Sequence, residues 1–219
     1  MARFIDLSHE IHDGLVTYPG LAAPVIAPDM TFDASHDHYA AGYEFQIDRI
    51  EMIANTGTYI DTPAHRVRNG PDLADLELAA VAGLDVVVIR VPGATGAIDP
   101  AVLAGIEVTG KAVLFATGWD RHWATPAYGK GHPYLAVEAA SALVEGNAAL
   151  VGIDSLNVDG TADGTRPIHT AFLEAGIPIL EHLTNLAAVP DTGAVLYAVP
   201  PKVRGMGSFP VRAFCVIYS

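Results

Sequence analysis

Three apolar runs constrain this chain more than any other feature. Val86-Val87-Val88-Ile89 is β-branched throughout, Ala112-Val113-Leu114-Phe115-Ala116 is apolar at every position, and Ala148 to Ile153 is a third. Val86–Ile89, with no polar alternate, reads as a strand buried on both faces, covered by other elements rather than wet on one side. Helix candidates are interspersed. Asp72 to Ala82 places Leu73, Leu76, Ala80 and Val81 on one side and stops at Gly83. Pro133 to Glu145 has Leu135, Ala139, Ala142 and Leu143 on one face and stops at Gly146; a shorter one, about His169 to Ala175, closes at Gly176. These elements are compatible with an α/β chain built on a mixed sheet with flanking helices. Further strands are expected at Phe4 onward, Tyr43 to Ile53, around Ile177 to Leu186, Ala194 to Val199 and Val211 to Tyr218. Residues 21 to 42 read as a long loop, and 200 to 207 as a Pro/Gly-rich connection without a phosphate-loop pattern.

The chemistry concentrates in Asn55-Thr56-Gly57-Thr58-Tyr59-Ile60-Asp61-Thr62-Pro63-Ala64-His65. If the chain is extended to Pro63, alternation puts Asn55, Tyr59 and Asp61 on one face, with Gly57 leaving room beside the backbone for a bound atom. Pro63 stiffens the exit and can hold His65 near Asp61. An acid and an imidazole so placed can bind a divalent metal or move a proton. The plainer reading is a strand end in which Asp61 caps a turn.

A second concentration follows. Glu181 stands inside Ile177-Pro178-Ile179-Leu180-Glu181, where an acid is costly to bury unless paired or bound to a metal. His169 precedes it on the short helix. Aromatic residues gather after the second apolar run, in Thr117-Gly118-Trp119-Asp120 with Trp123 and Tyr128. They can bind a planar ligand at a strand end or simply pack beneath a loop. Tyr18, in Thr17-Tyr18-Pro19-Gly20, is open to the same two readings. His36-Asp37-His38 lies in the long loop and is expected to face solvent, and His9 and His12 are read as surface or structural.

With 12 basic against 25 acidic residues the net charge is −13, which excludes a phosphate-neutralising stripe and so disfavours nucleic acid. The one cysteine, Cys215, cannot form an intrachain disulfide and sits in an apolar run. No run approaches the roughly 20 apolar residues of a membrane span, and the N-terminus lacks a signal-peptide stretch. These features favour a cytoplasmic protein, with residues 1–219 as one domain.

Gly57, Thr58, Asp61, Pro63 and His65 match five positions of the signature His-x-Gly-Thr-His-x-Asp-x-Pro-x-His. The segment resembles the cyclase family of metal-dependent hydrolases, which includes bacterial kynurenine formamidase and isatin hydrolase. Tyr18-Pro19-Gly20, Thr117-Gly118-Trp119, Gly152-Ile153-Asp154-Ser155, the His169/Glu181 pair and the Pro200–Gly205 element resemble the family in the same order. The chain departs from it at Asn55 and Tyr59, which stand where the family has metal-binding histidines.

The resemblance implies the swivelling β/β/α fold, a homo-oligomer (dimer or tetramer) and a small-molecule substrate. It implies Asp61, His169 and Glu181 as ligands of one divalent ion, Zn or Mn. It gives His65 the acid/base role and leaves Tyr59 to donate a hydrogen bond, ligate weakly or share the acid/base chemistry. Tyr18, Trp119 and Asn55 would contact the substrate. The activity implied is hydrolysis of a non-peptide C–N bond, as in an aryl formamide or a lactam. Two alternatives remain: a metal-free cyclase or dehydratase, and a small-molecule binding protein that has lost the metal.

Overall fold

A computed structural model describes residues 1–162 and 164–218. Its main body is a nine-stranded mixed sheet. The strands in chain order are β1 (Ala2–Asp6), β2 (Val25–Met30), β3 (Ile47–Glu51), β4 (Tyr59–Asp61), β5 (Ala82–Arg90), β6 (Ala97–Ile98) and β7 (Ala112–Ala116). They continue as β8 (Tyr134–Leu135), β9 (Leu150–Ile153), β10 (Ile179–Glu181), β11 (Thr192–Tyr197), β12 (Ser208–Pro210) and β13 (Phe214–Tyr218). The helices are α1 (Phe32–Ser35), α2 (Val137–Glu145) and α3 (Pro167–Glu174). The large sheet runs β1-β13-β11-β5-β7-β9-β10-β4-β12. Strands β5, β7, β9 and β10 are parallel, and antiparallel strands extend both sides. This architecture is the mixed-sheet α/β class that the resemblance implies and with which the apolar runs are compatible.

Alternation within β5 explains its unbroken apolar run. Val86 and Val88 enter one core with Leu114, Leu180 and Leu196, while Val87 and Ile89 enter the other with Phe115, Val151 and Ile153. Helices α2 and α3 cover the second face through Ala139, Ala140, Leu143, Phe172 and Leu173. Cys215 is a buried core residue.

Several local expectations are corrected. The helix expected over 72–82 is a turn, a 3-10 turn at Leu78–Ala80, and then the start of β5. The Asp72 carboxylate accepts from the amides of Ala74 and Gly205 and pairs with Arg204, so side-chain bonds take over what helical bonding would supply. Gly83 does not stop a helix. It takes φ +76° at the start of β5, where the register with β11 shifts as in a bulge. Helix α2 begins four residues later than Pro133, because Tyr134–Leu135 pairs with Ala97–Ile98 as a small parallel ribbon. Its buried face uses Ala140, with Ala142 outside. The loop expected over 21–42 contains β2 and α1. Strand β3 falls within the expected 43–53 segment, although all its residues are exposed and its partner is β2. Strand β12 was not expected in or after the Pro/Gly connection. The sequence of residues 161–167, rich in Gly and Asp, reads as a loop, and within it Asp163 lies outside the described residues. No helix among the described residues is long and apolar enough to cross a membrane.

Phe172 is fully buried and fixes α3 to the sheet. Phe172→Ala is expected to lower unfolding free energy by about 3–5 kcal/mol in urea titrations, through lost transfer energy and the cavity left behind.

Candidate metal centre

Strand β4 lies between β10 and β12, and its register sets the site. Tyr59 faces Glu181 and Asp61 faces Ile179 on one side, while Asp61 faces Ser208 on the other. Tyr59 and Asp61, two residues apart, therefore project to one face with Glu181. The strand is shorter than expected. Gly57 turns the chain at φ +64°, and a Cβ there would come within 2.8 Å of the Ile11 side chain. Its lack of a side chain accommodates Ile11, not a bound atom, which corrects the extended reading. Asn55 precedes that turn, half-buried, and joins none of the hydrogen bonds of the cluster.

After β4, Pro63 opens a 3-10 turn that ends at His65 and brings the imidazole back to Asp61, with Nδ1 3.6 Å from Oδ1. Helix α3 supplies His169. Asp159 accepts from the amides of Ile168 and His169 at its N-terminus, at 2.8 and 3.0 Å, and from His169 Nδ1–H at 2.7 Å. With Nδ1 so engaged, Nε2 is the nitrogen that faces Asp61 Oδ2 and Glu181 Oε1, each 3.6 Å away. Glu181 is otherwise held by the amide of Val158 at 2.8 Å and by the Tyr59 hydroxyl, with Tyr18 and Asn157 beside it at 3.4 Å.

The donor set fits a divalent cation. Asp61 is fully buried, yet its Oδ2 has no hydrogen-bond partner. Two donors on one tetrahedral ion with bonds of about 2.1 Å lie roughly 3.4 Å apart, close to the 3.6 Å found here, which is too long for a hydrogen bond. One nitrogen of His65, one oxygen of Asp61 and one nitrogen of His169 also lie within 4.8 Å of one another. Glu181 joins that group through His169. His65 is the open member, with 34 % of its side chain exposed.

The electrostatics point the same way. Burial opposes a charge on His169, but Glu181, Asp159 and Asp61 outweigh it and raise its pKa to about 10. Burial raises Glu181, and the neighbouring Asp61 charge adds to it. Burial works against ionisation of Asp159 too, but its bonds from His169 and Ile168 leave it below its usual value. Three carboxylates around one imidazole leave a site that calls for positive charge. Burial, followed by Glu181, holds the phenols of Tyr18 and Tyr59 well above their usual value, so both stay O–H groups.

Tyr18 reaches the cluster, its hydroxyl donating to the Leu156 carbonyl at 2.8 Å and lying 3.0 Å from that of Tyr59. Trp119 does not. Its indole N–H donates to the Tyr128 carbonyl, and the ring lies beside His122 and Arg121. Trp123 and Tyr128 line a cavity of about 320 Å³ with Thr17 and Pro19. Both rings pack on the fully buried His182, which also contacts Tyr18 and Tyr59. His9 stacks on Trp123 at 4.1 Å, a structural role, while His36 pairs with Glu44 at the surface. Asp154 bonds Thr117 and Gly118 and so anchors the loop after β7 rather than the loop after its own strand. Sequence reasoning missed Asn157, Asp159 and Ser208. Asp159 and Asn157 had a weak signal, polar residues in the buried stretch 154–159.

The family model "Cyclase: Putative cyclase" matches residues 5–160. The kynurenine formamidase of Erythrobacter litoralis is 30% identical over 202 residues, covering 92% of this chain and 88% of its own. That of Bacillus thuringiensis subsp. konkukian is 27% identical over 222 residues, covering 97% and 96%. Isatin hydrolase A from Labrenzia aggregata, solved with benzyl benzoate, superposes with a TM-score of 0.83 at 24% identity over 100% of this chain and 94% of that one, which shows the fold.

Binding of Zn or Mn, followed by calorimetry and elemental analysis, should be lost in His169→Ala. Glu181→Gln should weaken it with the circular dichroism spectrum unchanged.

Proposed function

The chain belongs to the cyclase family, and from that premise we propose that it is a metal-dependent hydrolase of a non-peptide amide or lactam C–N bond in a small planar molecule. The observation that carries this reading is the unpartnered, buried Oδ2 of Asp61 facing Nε2 of a histidine whose other nitrogen is tied to Asp159. The relatives named for kynurenine formamidase and isatin hydrolase supply the substrate class.

Asp61, His169 and Glu181 would hold one divalent ion, Zn or Mn, and Asp159 fixes the His169 tautomer. Bound there, such an ion supplies Lewis acidity and makes a water acidic enough to lose its proton near neutral pH. His65, the exposed member, takes that proton as the water oxygen adds to the carbonyl carbon, and returns it to the nitrogen as the C–N bond breaks. Tyr59 directs its single O–H at Glu181, so it orients that carboxylate rather than donating to the substrate. Tyr18 closes the cluster from the aromatic side. Trp123 and Tyr128 line the nearby cavity, and this aromatic lining suits a flat ring.

The protein acts as a homo-oligomer. The β2–β3 ribbon pairs with no other strand among the described residues and exposes Val25, Ile26, Ile47 and Ile50, an apolar surface that a second copy would cover. A buried, unpaired Cys215 suits the reducing cytoplasm.

Metal-loaded protein should hydrolyse an aryl formamide or isatin, with activity removed by chelation and restored by the metal; full metal content without turnover of either would overturn the reading. His65→Gln should lower kcat by about 10²- to 10⁴-fold at unchanged metal content. Light scattering should show an oligomer that Ile47→Asp with Ile50→Asp dissociates, and a monomeric parent would remove the oligomer from the proposal.

A further inference from the structure

We infer that Ser208 is a positioning residue that sets the tautomer of His65, placing the ring proton on Nδ1 and leaving Nε2 free to accept one. What the free nitrogen then does rests on the hydrolase reading above. The tautomer follows from three side chains alone.

Ser208 lies on β12 directly opposite Asp61 and is 3% exposed. Its Oγ is hydrogen-bonded to Asp61 Oδ1 and lies 2.9 Å from His65 Nδ1. A serine hydroxyl has one hydrogen to give, and an ionised carboxylate has none. The Ser208 hydrogen therefore goes to Asp61. Were it turned to Nδ1, Oγ and Oδ1 would face each other in close contact with lone pairs on both and no hydrogen between them. Nδ1 must then donate to Oγ, and in a neutral ring Nε2 becomes the basic nitrogen. His65 Nδ1 and Asp61 Oδ1 are 3.6 Å apart, too far for a direct bond, so Asp61 reaches His65 through the serine.

The same bond orients Asp61. With Oδ1 committed to Ser208, Oδ2 is the oxygen turned toward His169. One hydroxyl thus aligns both the acid/base imidazole and the metal-facing carboxylate. Its own position is fixed by its neighbours. The Gly207 carbonyl accepts from both the amide and the hydroxyl of Thr62, at 2.7 and 2.9 Å. A Cβ on Gly207 would meet the His65 backbone nitrogen at 2.3 Å, so only glycine lets the segment approach closely enough for Ser208 to reach both partners.

The test is ¹⁵N NMR of histidine side chains in the full-length, zinc-loaded protein, with His65 signals assigned by their loss in His65→Gln. Wild-type His65 should be protonated on Nδ1. Ser208→Ala should move the proton toward Nε2, and Ser208→Thr, which keeps the hydroxyl, should restore Nδ1. With an aryl formamide or isatin, Ser208→Ala should lower kcat by about 10- to 100-fold with KM nearly unchanged, and Ser208→Thr should recover most of it. Wild-type His65 protonated on Nε2, or a Ser208→Ala spectrum identical to wild type, would overturn the inference. The wild-type spectrum decides the tautomer even if Ser208→Ala does not fold. An Nδ1-protonated His65 in a protein that turns over neither compound would support this inference while overturning the hydrolase reading.

Discussion

The site depends on a charge imbalance that the fold holds in its interior. Asp61, Glu181 and Asp159 converge on His169, and all four are buried. Ionised carboxylates in such a place cost several kcal/mol each unless charge or hydrogen bonds compensate. Asp159 is compensated by two amides and the His169 ring, and Glu181 by an amide and a phenol. Asp61 is compensated on one oxygen only. The one acceptor left over faces Nε2 of His169, so a cation bound between them would take the place of the ring proton.

The sheet is what makes this arrangement rigid. Asp61, Glu181 and Ser208 are carried on three adjacent strands, so their spacing is set by backbone pairing rather than by loop conformation. His169 rides on a helix whose first turn is tied to Asp159 and whose inner face is anchored by Phe172 and Leu173. Only His65 comes from a turn, and it is also the one exposed member. Ligand positions are thus fixed while the proton-carrying group meets solvent, a division suited to a rigid scaffold and a mobile substrate.

What could be read from the sequence was whatever is expensive to place. The apolar runs at 86–89, 112–116 and 148–153 mark the centre of the sheet because so many β-branched and apolar side chains can be buried only there. Glu181 in its apolar strand stood out for the same reason, whereas Asp61 stood out as an acid that Pro63 holds near the His65 imidazole. Residues 72–82 misled because their apolar spacing fits a helix, whereas the deciding bonds run from Asp72 to Arg204 and Gly205, more than a hundred positions away. Ser208 was not legible at all. A serine beside glycine in a Pro/Gly connection carries no pattern until strand pairing sets it across from Asp61. The resemblance favoured Trp119 as the substrate contact, yet the turn at 119–122 sends Trp123 to the cavity instead.

Tyr59 shows how a substituted position can remain coherent. A phenol held well above its usual pKa by burial and by Glu181 brings a hydrogen, not a lone pair, to the carboxylate. A metal-binding histidine at this position would share Glu181's surroundings with a cation, whereas Tyr59 satisfies one Glu181 oxygen by itself. Tyr18 and Asn157 fill the space behind it with further polar atoms. The polar demand on that side of Glu181 is therefore met by side chains, while Oε1, which faces His169, is bonded by the Val158 amide alone. On the proposed reading, the chain keeps the ion that Asp61, His169 and Glu181 can hold and replaces the neighbouring ligand position with a hydrogen-bonded phenol pair.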